Sequence, residues 1–261
     1  MKPNYRFYAT LLDAFQGYLS SSEMYQQFWG SSENPAKTEE EFEQEQYQSL
    51  IDNINRVPFD SEAADKGTAF NEVVDCLIEH RKSEKMDIKS DKGNGIINVN
   101  YNSRTFEFPL ALCLEFSNYF RGALTQQRVS GLVYTGLGIV EVYGVTDEIM
   151  PLKVHDIKTT GRYNAFKFKK HWQHIVYPFC LLQNGNGVYD FEYDITDFQK
   201  IYVENYTFNP DIHIQQLVNH CERLIQFIEN NMDKIDLTTT KIFGNNDNNR
   251  GIAANAIIFG N

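Results

Sequence analysis

The sequence predicts an α/β protein in which a central mixed β-sheet is flanked by α-helices, with helical additions at both ends. Two observations support this prediction. Apolar residues show helical spacing before residue 125 and again after residue 165, and three extended runs lie between residues 126 and 160. With 261 residues, 42% of them hydrophobic, the chain can bury a sizeable core. We expect one domain over residues 1–261, with its core at about 62–232 and an irregular tail at 235–261.

The helices are predicted from apolar residues that recur every three or four positions, with capping residues at some starts. A polar, Glu-rich stretch separates the first helix from a second, exposed one. The predicted helices cover residues 5–29, 66–81, 110–124, about 165–183, and 211–232. A further helix is predicted to begin near Thr38 or Glu39.

The strands are predicted from alternating and β-branched runs that are bounded by turn residues. Residues 91–110 form a predicted hairpin with its turn at Asn102 and Ser103. Three further runs, at 126–134, 138–149 and 152–160, are joined by short turns and form the predicted centre of the sheet.

Composition restricts the class of protein. No run of about 18 apolar residues is present, and the polar start reads as an amphipathic helix without the apolar block of a signal peptide, so we expect a cytoplasmic protein without a membrane span. The four cysteines are scattered and form no C-x-x-C pair, which predicts free thiols. A net charge of −11 opposes nucleic-acid binding on average, but six Lys or Arg residues against one acid lie between Lys153 and Lys170.

Acidic residues and a lysine stand where the pattern predicts buried strands. A turn around Pro151 would pair Glu148 with His155 and Asp147 with Asp156, which puts both aspartates on one face of the hairpin with Lys158. Directly opposed carboxylates repel each other, and a hard divalent ion such as Mg²⁺ would stabilise them. Lys158 would then lie over the water or phosphate that the metal holds. The alternative is an Asp–Lys salt bridge on an exposed hairpin.

The stretches "GVTDEI" and "VHDIKTTGRY" resemble the active-site hairpin of the PD-(D/E)XK nuclease superfamily, in particular its RecB-like exonuclease branch. "GTAF" at 67–70 is similar to the family's early helix start, and "YATLLDAF" at 8–15 to its opening helix. "QHIVY" supplies Gln173 and Tyr177 in the Q-x-x-x-Y spacing of the helix after the catalytic strand. The matching stretches run discontinuously from about residue 8 to 180.

The resemblance implies a restriction-endonuclease-like core and metal-dependent hydrolysis of phosphodiester bonds in DNA. Asp147 and Asp156 would bind Mg²⁺ or Mn²⁺, with the carbonyl of Ile157 as a further ligand. Lys158 would orient or activate the attacking water and stabilise charge on the scissile phosphate, so that Asp147, Asp156 and Lys158 are the implied catalytic residues.

The chain departs from this family at the helix start, where RecB-like members usually carry a histidine ligand and this sequence has Asn71. The missing histidine ligand would be replaced by the Asn71 amide, by the adjacent Glu72, or by Asp75 one turn further along the helix. A catalytically silent homologue that binds nucleic acid or takes part in assembly therefore stays an alternative.

The implied partner is single- or double-stranded DNA. Gln173 and Tyr177 share a helix face and would contact its backbone or support the site, with Tyr177 as a buried core anchor as the alternative. Thr159, Arg162 and Lys170 complete the expected nucleic-acid contacts. The chain has no helicase P-loop, so a helicase or a single-strand-annealing protein would be a separate partner in recombination, repair or phage DNA metabolism.

Overall fold

The computed structural model describes residues 2–244, which form a six-stranded sheet, a three-stranded sheet and seven α-helices. The strands are β1 (Tyr5–Tyr8), β2 (Asp87–Asp91), β3 (Ile96–Tyr101), β4 (Arg104–Pro109), β5 (Leu124–Thr135), β6 (Gly138–Met150), β7 (Lys153–Thr159), β8 (Asp190–Thr196) and β9 (Ile201–Thr207). The helices are α1 (Ala9–Leu19), α2 (Ser21–Trp29), α3 (Glu39–Asn55), α4 (Glu62–Ile78), α5 (Leu110–Tyr119), α6 (Gln173–Gln183) and α7 (Pro210–Asn230). No helix in this part of the chain is long and apolar enough to cross a membrane.

The large sheet is mixed, as predicted. Its strand order is β1-β6-β7-β8-β9, and β5 pairs with β6 as well. The pairs β1–β6 and β7–β8 are parallel, and the other pairs are antiparallel. The smaller sheet is the antiparallel meander β2-β3-β4. The predicted α/β fold class is therefore confirmed.

Strand β6 has three neighbours, although a strand has only two edges. Strand β5 pairs along nearly the whole of β6, so β1 and β7 share the opposite edge. Strand β1 occupies this edge from Val140 to Tyr143, and β7 occupies it from Glu148 to Met150. Between them, residues 144–147 of β6 have no strand partner on that edge, which leaves a gap in the sheet. We call it the β1–β7 gap.

Each face of the large sheet packs on its own core. One core lies between the sheet and helices α1, α3, α6 and α7, and includes Phe15, Val142, Val154, Val176 and Leu224. The other lies between the sheet, α4, α5 and the small sheet, and includes Phe70, Phe106, Phe116 and Ile157. Side chains alternate along β7, so neighbouring residues of this strand contribute to opposite cores.

Local sequence signals agree with the structure in several places. Thr38 caps α3 in a capping box with Glu41. The β3–β4 hairpin turns at Asn102 and Ser103, both of which have positive φ. The irregular tail is seen from Ile235 to Gly244, and its remaining residues lie outside the described part of the chain.

Two boundaries differ from the prediction, and some strands were not predicted. Residues 5–8 form β1 instead of the first turn of a helix, because parallel pairing with β6 outweighs local helical spacing. Helix α6 begins at Gln173, because residues 165–170 form turns in which Phe166 has φ 62°. Strands β2, β8 and β9 had no predicted counterpart.

Candidate active site

The predicted site lies at the β1–β7 gap. The predicted register holds for Glu148 with His155 and for Ile149 with Val154, and the ladder of backbone pairs stops there. Beyond it, Oδ2 of Asp147 accepts a hydrogen bond from the backbone N–H of Ile157 at 2.8 Å. Asp147 and Asp156 are thus not a ladder pair. Instead, the Asp147 carboxylate lies across the gap, against the residue that follows Asp156.

Asp156 and Lys158 form a buried ion pair. The Lys158 Nζ lies 2.6 Å from Oδ2 of Asp156, and the two side chains are 21% and 3% exposed. Gln173 at the start of α6 donates from Nε2 to the other oxygen, Oδ1, at 2.7 Å. The arrangement differs from the exposed salt bridge that the sequence left as the alternative.

A second D-I-K tripeptide, Asp87-Ile88-Lys89, provides the comparison. It lies in β2, where the Lys89 Nζ is 2.5 Å from Oδ2 of Asp87 and the two side chains are 71% and 52% exposed. The same three residue types therefore form a solvated pair in β2 and a buried pair in β7. The two tripeptides are identical in sequence, so their different environments come from burial and from the neighbouring groups.

The acids and the lysine are electrostatically coupled. Burial, together with the charge of Asp156, raises the pKa of Asp147 to about 8. Burial acts to lower the pKa of Lys158, but the carboxylates of Asp156 and Asp147 outweigh it, so this pKa is raised. Lys158 is consequently a cation at neutral pH and supplies fixed positive charge.

Helix α6 brings both predicted Q-x-x-x-Y residues to the gap. Nε2 of Gln173 also lies 3.1 Å from the Tyr177 hydroxyl, and both side chains are buried. The ring of Tyr177 lies against Gly144, where an added Cβ would be 2.5 Å from Cε1 of the ring. Only glycine fits beneath this tyrosine, which gives a physical reason for the glycine three residues before Asp147.

Helix α4 supplies Asn71 to the site but does not supply Glu72. Nδ2 of Asn71 lies 3.3 Å from Oδ2 of Asp147. The carboxylate of Glu72 instead pairs with Arg81 at 2.7 Å, so Glu72 is not brought together with the hairpin acids. Asp75 is buried, and burial raises its pKa to about 7. Its charge contributes to the raised pKa of Asp147.

The donor set at the gap fits a hard divalent cation. It contains the carboxylates of Asp147 and Asp156 and the amide of Asn71, whose buried Oδ1 has no hydrogen-bond partner among the described residues. A half-turn of this amide would exchange Oδ1 with Nδ2 opposite Asp147. With the carbonyl of Ile157, the ligands would all be oxygen atoms, which suits Mg²⁺ or Mn²⁺.

The remaining predicted nucleic-acid residues lie at or beyond the end of β7. Thr159 packs against α4, since a Cβ at Gly67 would be 2.9 Å from its Oγ1. Arg162 and Lys170 are exposed in the segment before α6, and Lys170 pairs with Glu23 at 2.6 Å. None of the contacts in the described part of the chain joins these two side chains to Asp147, Asp156 or Lys158.

An arginine-lined cleft of about 550 Å³ borders the site, and the sequence analysis missed it. Its lining includes Arg6, Arg56 and Arg128 together with Gly144 and Tyr177. Arg56 lies 3.7 Å from the centre of the Tyr8 ring, and its buried Nε has no hydrogen-bond partner among residues 2–244. The three arginines come from distant segments and carry no local motif, so only the fold brings them together.

No family model matches the chain, and no curated protein matches it. Four chains among the solved structures match at a significant level. One of these, described as the crystal structure of SSO0001, is 9% identical, covers 87% of this chain and 77% of that chain, and has a TM-score of 0.40. A similarity this weak carries no information about function.

Proposed function

We propose that the protein is a nuclease that hydrolyses phosphodiester bonds in DNA with Mg²⁺ or Mn²⁺. One observation carries the proposal: buried Asp156 and partly buried Asp147 and Lys158 lie together at the β1–β7 gap, with Gln173 and Tyr177 of α6 over them. Two carboxylates held next to a lysine in this way provide the groups that phosphodiester hydrolysis needs.

Each residue has a distinct role in the proposed chemistry. The metal, when bound, would act as Lewis acid and water activator, held by Asp147, Asp156, Oδ1 of Asn71 and the Ile157 carbonyl. Lys158 remains protonated, so it would orient the attacking water and stabilise negative charge on the scissile phosphate. Gln173 fixes Asp156 through the bond to Oδ1. The other oxygen, Oδ2, lies 2.6 Å from the Lys158 Nζ and would bind the metal once this lysine turns towards the attacking water.

The arginine-lined cleft supports a nucleic-acid substrate. The chain has a net charge of −11, yet Arg6, Arg56 and Arg128 line the cleft beside Tyr177. One acid, Glu141, also lines the cleft and pairs with Arg6 at 2.6 Å, which leaves two arginines in excess. A local positive field of this kind attracts phosphates even on an acidic protein. We infer that the DNA backbone enters along this cleft, with Thr159, Arg162 and Lys170 on the exit side of β7 as further contacts.

The biological setting extends the same proposal. An exonuclease-like activity would serve recombination, repair or phage DNA metabolism, with a helicase or a single-strand-annealing protein as a separate partner. The cytoplasm is the expected compartment for such a substrate.

Cleavage of end-labelled single- and double-stranded DNA tests the proposal. Wild-type protein should cut with Mg²⁺ or Mn²⁺ and stop when EDTA is added. Asp156→Ala and Lys158→Ala should each reduce the rate by about 100-fold or more, because each removes a group that acts on the reacting atoms. Asp87→Ala and Lys89→Ala change the same residue types in the exposed D-I-K of β2 and should leave the rate unchanged.

A catalytically silent DNA-binding protein is the second candidate, and the Asn71 contact favours it. An amide N–H donated to Asp147 occupies the position from which a further ligand would reach the metal. In that case wild-type protein would bind DNA without metal-dependent cleavage, and Asn71→His would create or greatly increase cleavage. If wild type cuts DNA and Asp156→Ala abolishes the cutting, the silent alternative is wrong.

A further inference from the structure

A second group of metal-ligand side chains lies on the opposite face of β7 from Asp156. His155 of β7 faces Glu192 and Asp194 of β8, with its Nδ1 3.0 Å from Oδ2 of Asp194 and 3.7 Å from Oε1 of Glu192. All three are almost completely buried. Within residues 2–244, this is the one group of three His, Cys, Asp or Glu side chains whose ligand atoms all lie within 4.8 Å of one another.

Glu148 of β6 lies on the same face of the sheet and is the candidate fourth ligand of this group. It is the direct antiparallel partner of His155, so the two side chains point to the same face of the sheet. Glu148 is 0% exposed, and neither of its carboxylate oxygens has a hydrogen-bond partner among the described residues. A buried carboxylate without a partner is costly, because it has lost its hydration and gained nothing in return.

The group is short of positive charge. Glu192 is compensated, since the Lys153 Nζ lies 2.6 Å from Oε2 and the Tyr119 hydroxyl donates to Oε1 at 2.7 Å. Asp194 has His155 as its contact. Glu148 has no such partner, so one of the three carboxylates has neither a cation nor a hydrogen-bond donor among the described residues.

We propose that Glu148, His155, Glu192 and Asp194 bind a divalent transition-metal ion, in a site separate from the hairpin acids. A ligand set of one imidazole and carboxylates suits Zn²⁺ or Mn²⁺, whereas Mg²⁺ prefers oxygen ligands alone. The ion joins three adjacent strands, β6, β7 and β8, at the level where β6 and β7 separate. Since Glu148 adjoins Asp147 in the chain, the ion also fixes the backbone that carries the proposed catalytic acid.

Zinc titration of a variant without the hairpin site provides the test. Full-length Asp156→Ala protein, freed of metal with EDTA, should bind one equivalent of Zn²⁺ in calorimetry. Adding His155→Asn or Glu148→Gln should weaken this binding by about tenfold or more. His220→Asn is the matched control, since His220 is equally buried but its Nε2 lies 3.0 Å from the carbonyl oxygen of Leu12.

A spectroscopic experiment separates this site from the proposed nuclease centre. Pulsed electron paramagnetic resonance of the Mn²⁺-loaded wild type should show nitrogen coupling from an imidazole, because the hairpin ligands are all oxygen atoms. The coupling should disappear in His155→Asn and persist in His220→Asn. Glu148→Gln keeps the side-chain volume and removes a buried charge, so it should fold even if His155→Asn does not.

The outcomes distinguish the two proposals. Zn²⁺ binding by Asp156→Ala together with an absence of DNA cleavage by wild type would support the second site and overturn the nuclease. No Zn²⁺ binding by Asp156→Ala, or no nitrogen coupling in wild type, would overturn the second site. The Zn²⁺ titration and the nitrogen coupling are both measured without DNA, so they test the second site whether or not the protein cleaves DNA.

Discussion

Replacing Asp147 with asparagine should stabilise the metal-free protein at pH 8, although it removes a proposed catalytic residue. The pKa of Asp147 is raised from 3.8 to about 8 by burial and by the charge of Asp156. A tenfold change in proton affinity corresponds to about 1.4 kcal/mol, so ionised Asp147 opposes folding by at most on the order of 5 kcal/mol. Water entry at the gap reduces this cost, and we expect a gain of about 1–3 kcal/mol in Asp147→Asn.

The pH dependence follows from the direction of the shift. A carboxyl whose pKa is raised on folding contributes its full stability below pH 4, and that contribution falls as the pH rises towards 8. Asparagine has no proton to lose, and its amide oxygen can still accept from the N–H of Ile157. The difference in free energy of unfolding between Asp147→Asn and wild type should therefore increase from pH 5 to pH 8.

Urea unfolding in EDTA at the two pH values measures this difference. Asp87→Asn is the matched control: Lys89 holds the pKa of exposed Asp87 below its usual range, so its removal should give no gain at pH 8. Adding Mg²⁺ should stabilise wild type more at pH 8 than at pH 5, because the proposed metal ligand is the ionised Asp147 carboxylate. The same addition should stabilise Asp147→Asn less. The reasoning is refuted if Asp147→Asn is no more stable than wild type at pH 8 in EDTA.

Two further variants test neighbouring features. Gly144→Ala should lower the free energy of unfolding by about 1–3 kcal/mol in a urea titration, because its Cβ would lie 2.5 Å from the Tyr177 ring. Gly161→Ala is the control: its Cβ would lie in open space, so the free energy of unfolding should not fall. Fluorescence anisotropy of labelled DNA should show that Arg128→Ala weakens binding and reduces the salt dependence of the binding constant by about one phosphate contact. Arg121 lies outside the cleft, so Arg121→Ala should change neither the binding constant nor its salt dependence. Equal effects of the two glycine variants, or of the two arginine variants, would contradict these assignments.

The parts of the fold that local signals encode could be predicted. The capping box at Thr38 and the Asn102–Ser103 turn depend on residues a few positions apart, and both are found where expected. Strand β1 could not be predicted in this way. Its alternating residues also fit the start of a helix, and its partner in β6 lies 135 residues further along the chain.

The candidate site also has features that the sequence predicts and features that depend on the fold. The alternation of side chains along the predicted strand placed Asp156 and Lys158 on one face, and the resemblance to the nuclease family led to Gln173 and Tyr177. The sequence did not show that Asp147 reaches across a gap instead of pairing with Asp156, because the gap arises from β1. The two D-I-K tripeptides show why a short motif is not sufficient for such a prediction. They have the same sequence and differ in burial, which depends on the whole fold.

The arrangement in which β1 and β7 share one edge of β6 also has a consequence for the order of folding. The first strand emerges from the ribosome early, but it cannot pair until residues 140–143 have been made. The β1–β7 gap has β1 as one wall, so it is completed only when β1 has paired with residues 140–143 of β6. Newly made protein should therefore form the gap, and with it the proposed metal site, late, after the β5–β6 hairpin has formed.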